Sequence, residues 1–479
     1  MKHHSAMHKA MAIVVIGLFA AAPVPALASG FQLVEQNASG LGNAYAGQAA
    51  GARNASAIYF NPAALTRVKG WNVVTSAESI GVGTTFTDTG SSGPSAGAFQ
   101  FPVSLGNDGG DAGKWVPVPN AYVSGQLTDR IWLGVAFNVP FGLETDWDPA
   151  WVGRFHGTQS KVQTYNVNPT VAVKLNESLS VGGGVSYQHL KADLGQGVAF
   201  GSLAFVGTAQ AVAAYPPTVQ AQAVGAVLAQ LGPSGRALEG SALITGDSNA
   251  WGFNLGALVK VGKQMHVGAS YRSKIKHDLT GDVTFTGAPT FSLPGSLAPI
   301  GAGLNARFAS GPVATTIELP DTLSVAATWE KDKLEVLADW TWTGWSSIPS
   351  LDIARADGSA LSTVDLKFQD TWRAGVGANY KVNDSWTVRV GTAYDKAPVQ
   401  DEFRTPRLPD ANRVWTAAGL EWKLGKRATV DVGYAHIFVG DAPSDLPNQS
   451  TPTSTPVGHL VGDYGAKVDI LGVQVSLQF

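Results

Sequence analysis

The feature that most constrains the fold is a repeated alternation of apolar and polar residues. In residues 372–381, Trp, Ala, Val, Ala and Tyr alternate with Arg, Gly, Gly, Asn and Lys. Successive side chains of a strand point to opposite faces, so such a segment has one apolar and one polar face. The pattern recurs in residues 386–395, 413–424, 430–434 and 473–479. A tilted strand of about ten residues crosses a bilayer, so the pattern predicts membrane-spanning β-strands.

The connections between these segments alternate in length. Short polar connections lie at residues 127–130, 175–178, 261–264, 330–333, 382–385 and 424–427, with longer Gly/Pro/Ser-rich stretches between successive hairpins. Short periplasmic turns opposite long outer loops are typical of outer-membrane barrels. Adding a strand that begins near Trp71 and one that ends at Phe479 predicts an all-β, 14-stranded antiparallel transmembrane β-barrel over residues 71–479. An aromatic girdle near the strand ends is expected from Trp132, Trp329, Trp340, Trp342, Trp372, Trp386 and Trp422.

Composition narrows the function classes. The formal net charge of −3 argues against a nucleic-acid binder, and the absence of cysteine removes disulfides, thiolate metal sites and cysteine nucleophiles. A soluble β-sandwich is the alternative fold, but it would not explain both the tryptophans at strand ends and the alternating loop lengths. The charges on the inner faces (Arg373, Arg389, Glu421 and Asp431) are expected to pair within a wet lumen.

The N-terminus reads as an export signal followed by a separate segment. Residues 1–28 combine Lys2 and Lys9, an apolar stretch and the small-x-small sequence Ala26-Leu27-Ala28, which predicts a cleaved secretory signal. Residues 29–70 do not alternate and are rich in Gly and Ala, with interspersed large apolar side chains. A barrel this wide leaves a lumen to fill, so residues 29–70 are predicted to form a plug, or hatch. A periplasmic tail is the alternative, against which the apolar side chains argue.

Several motifs carry a family resemblance across the mature chain. They are the segments 29–33, 39–42, 44–47, 61–63, 271–277, 319–321, 407–410 and 413–415, together with the C-terminal strand. This ordered set resembles the FadL/TodX family of transporters of long-chain fatty acids and hydrophobic compounds in the bacterial outer membrane. The resemblance implies a monomer surrounded by outer-membrane lipid and lipopolysaccharide. It also implies capture of an apolar ligand from outside and sideways release through a gap at an inward kink of the third strand.

The third strand has residues suited to such a kink. It is predicted from Ile131 to about Gly142 and ends in Asn138, Val139, Pro140, Phe141 and Gly142. Proline cannot donate a ladder hydrogen bond, and glycine tolerates unusual dihedral angles. The resemblance implies that these five residues form the lateral opening. The alternative is that Pro140 simply ends the strand at the extracellular rim.

Two hatch features also follow from the resemblance. Phe31 resembles the family residue whose ring lines the high-affinity ligand pocket, and Asn61, Pro62 and Ala63 resemble the hatch motif implicated in transport. Asn before Pro also favours a turn, so this motif could serve only to shape the plug.

An uncharged loop is the candidate ligand-capture surface. Residues 194–235 contain no charged residue, and after Pro216-Pro217 the apolar residues, including Val224 and Leu228, follow helical spacing. The resemblance implies a hydrophobic landing groove, with residues 291–300 as a second contributor; self-packing over the barrel mouth is the alternative. Lys191 is the best candidate for binding a fatty-acid carboxylate, ahead of Lys274 and Lys276. Without an inward base, a neutral hydrocarbon becomes the better ligand.

The resemblance thus implies passive uptake of long-chain fatty acids, with a channel for neutral hydrocarbons (monoaromatics or alkanes) as the alternative. No catalytic residue, metal site, cofactor or nucleic-acid partner is expected. An outer-membrane esterase or phospholipase is a weaker alternative because no Gly-x-Ser-x-Gly sequence occurs. A structural or adhesive barrel without transport is the remaining one.

Overall fold

The computed structural model describes residues 30–51, 53–96, 99–447 and 456–479, so the predicted signal lies outside the described residues. Strands β1–β14 form one closed antiparallel barrel, as predicted. They are β1 Trp71–Asp88, β2 Trp115–Gln126, β3 Ile131–Asn138 and Gly142–Asp146, β4 Gln159–Lys174, β5 Leu179–Val198, β6 Gly240–Val261, β7 Met265–Arg272 and Ile275–Thr286, β8 Gly311–Leu319 and Thr322–Lys331, β9 Leu334–Thr343 and Ser350–Arg355, β10 Ala360–Asp365 and Thr371–Lys381, β11 Trp386–Asp395, β12 Arg413–Leu424, β13 Ala428–Val439 and Ala442–Leu446, and β14 Leu460–Gln478. A small pair, Ser95–Ala96 with Phe99–Gln100, lies outside the barrel sheet.

Each strand pairs with its sequence neighbour, and β1 closes the barrel against β14. This closing seam runs from Asn72↔Gln478 to Asp88↔Gly462. The six short connections predicted from sequence all join consecutive strands at one end of the barrel. The strand pattern and the alternation of loop lengths are therefore confirmed.

The outer face of the barrel is apolar and its inner face is polar. In β10, Trp372, Val376 and Tyr380 are exposed, whereas Arg373 and Asn379 are buried inside. The predicted pairing of inward charges is confirmed, because Arg389 donates to both Glu421 and Asp431, and Arg373 lies 3.4 Å from Asp339.

The predicted place of Trp132 in the aromatic girdle is wrong. Trp132 is 3% exposed and its indole Nε1 donates to the carbonyl of Val68 at 2.7 Å. Its neighbour Leu133 is 46% exposed. Because side chains alternate along a strand, Trp132 must face the lumen when Leu133 faces outward.

The described residues of 30–70, here called the N-terminal segment, lie inside the barrel and are mostly buried. The segment contains α1 (Ala38–Leu41), α2 (Ala57–Phe60) and the 3₁₀ helix Pro62–Arg67. Asn43 donates to Asn379 of β10, and Asn61 donates to the carbonyl of Ala257 in β6. On β12, a Cβ added to Gly419 would lie 2.6 Å from Cα of Gly42. The segment therefore packs directly against the inner faces of distant strands.

Helices cap the barrel at the end opposite the short turns. They are α3 (Phe200–Ala211), α4 (Pro217–Gln230) and α5 (Ala298–Arg307), with 3₁₀ helices at Gly232–Ala237, Gly295–Leu297, Trp345–Ser347 and Asp401–Phe403. Phe200 and Phe308 anchor α3 and α5 to one apolar cluster, with ring centroids 5.0 Å apart. Helix α4 confirms the helical spacing seen after Pro216-Pro217. In the described ranges, no helix has the length and apolar character needed to cross a bilayer.

Candidate functional site

The barrel wall is incomplete between β2 and β3. The two strands pair from Gln126↔Trp132 to Ala121↔Phe137, and beyond that point residues 115–120 of β2 pair only with β1. The gap ends where the Asp146 amide of β3 donates to the carbonyl of Ala112, in the segment that leads into β2, at 3.0 Å. We call the unpaired stretch between β2 residues 115–120 and β3 residues 138–145 the wall window.

The window arises because β3 leaves the plane of the wall. Residues 138–145 are all buried, which breaks the alternation of a wall strand. The register against β4 also shifts, since Asn138 pairs with Asn166 but Gly142 pairs with Gln163. This extra residue on β3 is a bulge that bends the strand. The five residues predicted for a kink lie at this interruption, and β3 resumes after it, so Pro140 does not end the strand at the rim.

The N-terminal segment lies behind the window. The Leu33 amide donates to the carbonyl of Pro140 at 2.8 Å, and the Gly142 amide donates to the carbonyl of Phe31 at 2.9 Å. The Phe31 ring is buried, with its centroid 5.8 Å from Phe141 and 5.0 Å from Trp345. Phe31 and the kink residues are thus brought together. Movement of residues 31–33 would break their hydrogen bonds to β3 at the window.

The Asn61-Pro62-Ala63 motif belongs to a different contact. Asn61 caps the following 3₁₀ helix by accepting from the Ala63 amide at 3.0 Å, and its Nδ2 donates to the carbonyl of Ala49 at 2.6 Å. Together with the bond to β6, these contacts fix the fold of the N-terminal segment. The structure therefore gives the motif the turn geometry expected from its sequence.

A small apolar pocket of about 70 Å³ lies in the lumen between β4 and β9. Leu190, Leu279 and Val313 are among its lining residues, none of which is charged. Lys191 alternates with the lining residues Leu190 and Ala192, and its side chain is 54% exposed. Its ammonium is thus on the opposite face of β5 from the pocket. Lys274 and Lys276 also have exposed side chains, within 4 Å of Glu318 and Asp278 respectively.

A larger groove of about 470 Å³ lies outside the lumen, between α3, the start of α4 and α5. Its apolar lining includes Val212, Leu297 and Ile300, the last two from the second predicted contributor. Val224 and Leu228 lie on α4 half-buried and do not line this groove; Ala223 and Val227 are the buried residues of that helix.

Arg307 at the end of α5 is the one charged residue lining this groove in the described part of the chain. One guanidinium nitrogen lies 3.7 Å from the position a Cβ would take at Gly207 of α3. No carboxylate among the described residues lies within ion-pair distance of the guanidinium, and burial lowers its pKa. Arg307 was not among the residues predicted from the sequence. The signal was present, because it is the only charged residue between Asp282 and Glu318.

The chain is similar to known proteins over most of its length. Residues 19–479 match the model of the family described as outer membrane protein transport protein (OMPP1/FadL/TodX). The chain is 30% identical to outer membrane protein P1 of Haemophilus influenzae, with 86% of each chain covered. It is 28% identical to the long-chain fatty acid transport protein of Escherichia coli K12, covering 86% of this chain and 88% of that one.

Solved structures share the fold. A Pseudomonas aeruginosa FadL homologue superposes with a TM-score of 0.79 at 24% identity, covering 94% of this chain and 100% of the other. The Pseudomonas putida toluene transporter TodX gives a TM-score of 0.62 at 17% identity, covering 89% and 95%. With its closed barrel and a family match that spans nearly all of it, the chain belongs to the OMPP1/FadL/TodX family of outer-membrane transport proteins.

Proposed function

We propose that this outer-membrane protein takes up long-chain fatty acids without an energy source. Family membership makes it a transporter of hydrophobic compounds and not an enzyme. The fatty-acid assignment is supported by the groove on the extracellular side, which combines apolar walls with the cation of Arg307, for which the described residues provide no carboxylate partner. An acyl chain would lie against the walls, and the carboxylate would accept charge-assisted hydrogen bonds from the guanidinium. Sequence relatives named as long-chain fatty acid transport proteins support the same assignment.

The proposed route continues into the lumen. The ligand passes from the groove towards the apolar pocket near Leu190 and then towards Phe31. Residues 29–70 act as the hatch, and displacement of residues 31–36 opens the way to the wall window. The ligand then leaves sideways into the bilayer between β2 and β3. We propose that a single chain is sufficient, because both groove and window lie within one barrel, surrounded by outer-membrane lipid and lipopolysaccharide.

The first prediction tests the carboxylate contact. Purified protein in detergent is titrated with oleate and with methyl oleate, which has the same chain but no charge. Replacing Arg307 with Met removes a charge-assisted bond, so we expect oleate to bind about tenfold more weakly and methyl oleate to bind unchanged. Arg307→Lys should retain most of the preference for the acid, because it keeps the positive charge.

Lys263→Met is the matched control, since it removes one positive charge from an exposed turn at the other end of the barrel. Its oleate affinity should equal that of the wild type. Equal loss of oleate binding in Lys263→Met and Arg307→Met would mean that net charge, and not the groove contact, attracts the acid.

A neutral hydrocarbon is the second candidate ligand, and the uncharged lining of the luminal pocket favours it. In that case toluene or an alkane would bind the wild type as tightly as oleate, and Arg307→Met would bind all three equally. Failure of every apolar ligand to bind would contradict both candidates.

A further inference from the structure

The edge of β2 at the wall window carries two prolines, Pro117 and Pro119. Backbone groups of successive strand residues point alternately to the two neighbouring strands. The Val82 amide of β1 donates to the carbonyl of Lys114, directly before β2. The Gln126 amide of β2 donates to the carbonyl of Gly70, directly before β1. Even-numbered residues of β2 therefore face β1. Odd-numbered residues face β3, as the bond from the Leu127 amide to the carbonyl of Ile131 shows.

Both prolines consequently aim their nitrogens at the window, where neither has an N–H to donate. If the register Ala121↔Phe137 continued, Pro119 would face Val139 and Pro117 would face Phe141. A valine or threonine at either position would supply a backbone N–H to the carbonyl that a closed wall would use. The other strand neighbour is unaffected, since Pro117 and Pro119 still pair in register with Ser79 and Ala77 of β1.

The two β3 carbonyls that this register would use have other partners, and that of Phe141 points away from β2 and towards β4. The carbonyl of Val139 accepts from Nε2 of Gln36 at 2.9 Å, and that of Phe141 accepts from the Thr164 amide of β4 at 3.2 Å. Neither side of the window therefore relies on the other for a hydrogen bond. An exposed edge with free N–H groups in lipid would be unfavourable and prone to pairing, and the prolines at 117 and 119 present no such donor.

We propose that Pro117 and Pro119 are positioning residues that keep the wall window from closing. They deny β2 the donors needed to pair with β3, so the window persists when the N-terminal segment moves away from the Val139 carbonyl. This inference rests on the proposed function only in taking the window as the exit of the ligand. The missing pairing between β2 and β3 at the window is observed among the described residues and does not depend on the proposed function.

The second prediction uses the new amides as reporters. The variant Pro117→Val/Pro119→Val has two additional N–H groups, and hydrogen exchange of the peptide covering residues 115–121 measures whether they are bonded. We expect them to exchange about tenfold more slowly than unprotected amides, because they pair with β3. Oleate uptake by cells lacking their own transporter should fall several-fold, while oleate binding to the purified variant stays unchanged.

Pro312→Val is the control, because Pro312 is an exposed proline of β8 far from the window in the strand order. It should leave uptake unchanged. The single variants Pro117→Val and Pro119→Val, each adding one donor, give the same measurement if the double variant does not fold. New amides that exchange freely would overturn the proposal, and so would protected amides with unchanged uptake. Failure of the wild type to take up oleate would instead contradict the proposed function, and the amide exchange would still decide the role of the prolines.

Discussion

Glu35 is a buried titratable residue of the N-terminal segment, and its burial makes the stability of the fold depend on pH. It is fully buried, and neither carboxylate oxygen has a hydrogen-bond partner among the described residues. Burial raises the pKa of Glu35 to about 7, against the opposing influence of Arg413 and Arg373. The folded protein therefore holds this proton more tightly than the unfolded chain does.

The third prediction follows from the sign of that shift. The stability that the bound proton supplies is fully present below the unfolded pKa of 4.5 and is lost as the pH rises through about 7. The loss amounts to about 3 kcal/mol at most. Unfolding in urea at pH 5 and pH 8 should show a smaller decrease for Glu35→Gln than for the wild type, since glutamine does not titrate. Parallel decreases in the two proteins would contradict this.

Residue-level prediction from sequence was confirmed for the inward charges, where strand alternation decides the outcome, and was wrong for Trp132, whose side follows from the same alternation. The same alternation that placed Arg389 inside with Glu421 and Asp431 also places Lys191 outside, between Leu190 and Ala192. Arg307 could not be placed this way, because its position depends on how α5 packs across α3. Local periodicity does not contain that long-range contact.

At the scale of elements, glycines on the inner faces of strands determine how closely the N-terminal segment approaches the wall. A Cβ at Gly419 of β12 would meet the backbone of Gly42, and one at Gly391 of β11 would lie 2.2 Å from the carbonyl oxygen of Asn43. Such contacts with backbone cannot be relieved by rotating a side chain. The close approach fixes α1 between these strands.

The fourth prediction concerns this approach. Gly419→Val should displace the segment around Gly42 while the barrel still closes, because β12 keeps its pairing with β11 and β13. We expect faster protease cleavage within residues 38–50 and an unchanged heat-dependent shift on a gel. The neighbouring Ala418→Val, on the outer face of the same strand, should leave cleavage unchanged. Equal cleavage in both variants would mean that the close approach does not hold the segment.

Element boundaries were largely predictable because each short turn interrupts a clear alternation. The interruption of β3 was harder to foresee, since a proline near a strand end fits both a rim and a kink. The structure separates the two through the resumption of β3 at Gly142–Asp146 and its shifted register with β4. That shift depends on a partner strand and is absent from the local sequence.

At the scale of the whole molecule, the barrel and the N-terminal segment have different structural roles. The wall supplies an apolar outer surface and a polar inner one, and the segment fills much of the space between. Three hydrogen bonds join the segment to three different strands. Trp132 of β3 donates to Val68, and Asn43 and Asn61 of the segment donate to β10 and β6 respectively. The segment is thus held by many parts of the wall and not by a single anchor.

The fifth prediction removes the segment. A variant lacking residues 31–68 should still form a barrel, because the described residues of that range take part in no strand pairing of β1–β14 apart from the bridge at Gln32. Its lumen should conduct ions in a planar bilayer, whereas the wild type should conduct little. Equal conductance in the two proteins would mean that the segment does not block the lumen.

The closing seam sets an order of events during assembly. β1 and β14 come from opposite ends of the barrel sequence, and the N-terminal segment immediately precedes β1. A contact between such distant parts of a chain forms late, after the more local hairpins. Once the seam is complete, the segment is surrounded by wall and its glycine contacts allow little sideways passage. We therefore expect the segment to lie inside before the seam closes, so that the last step of barrel formation also encloses the segment.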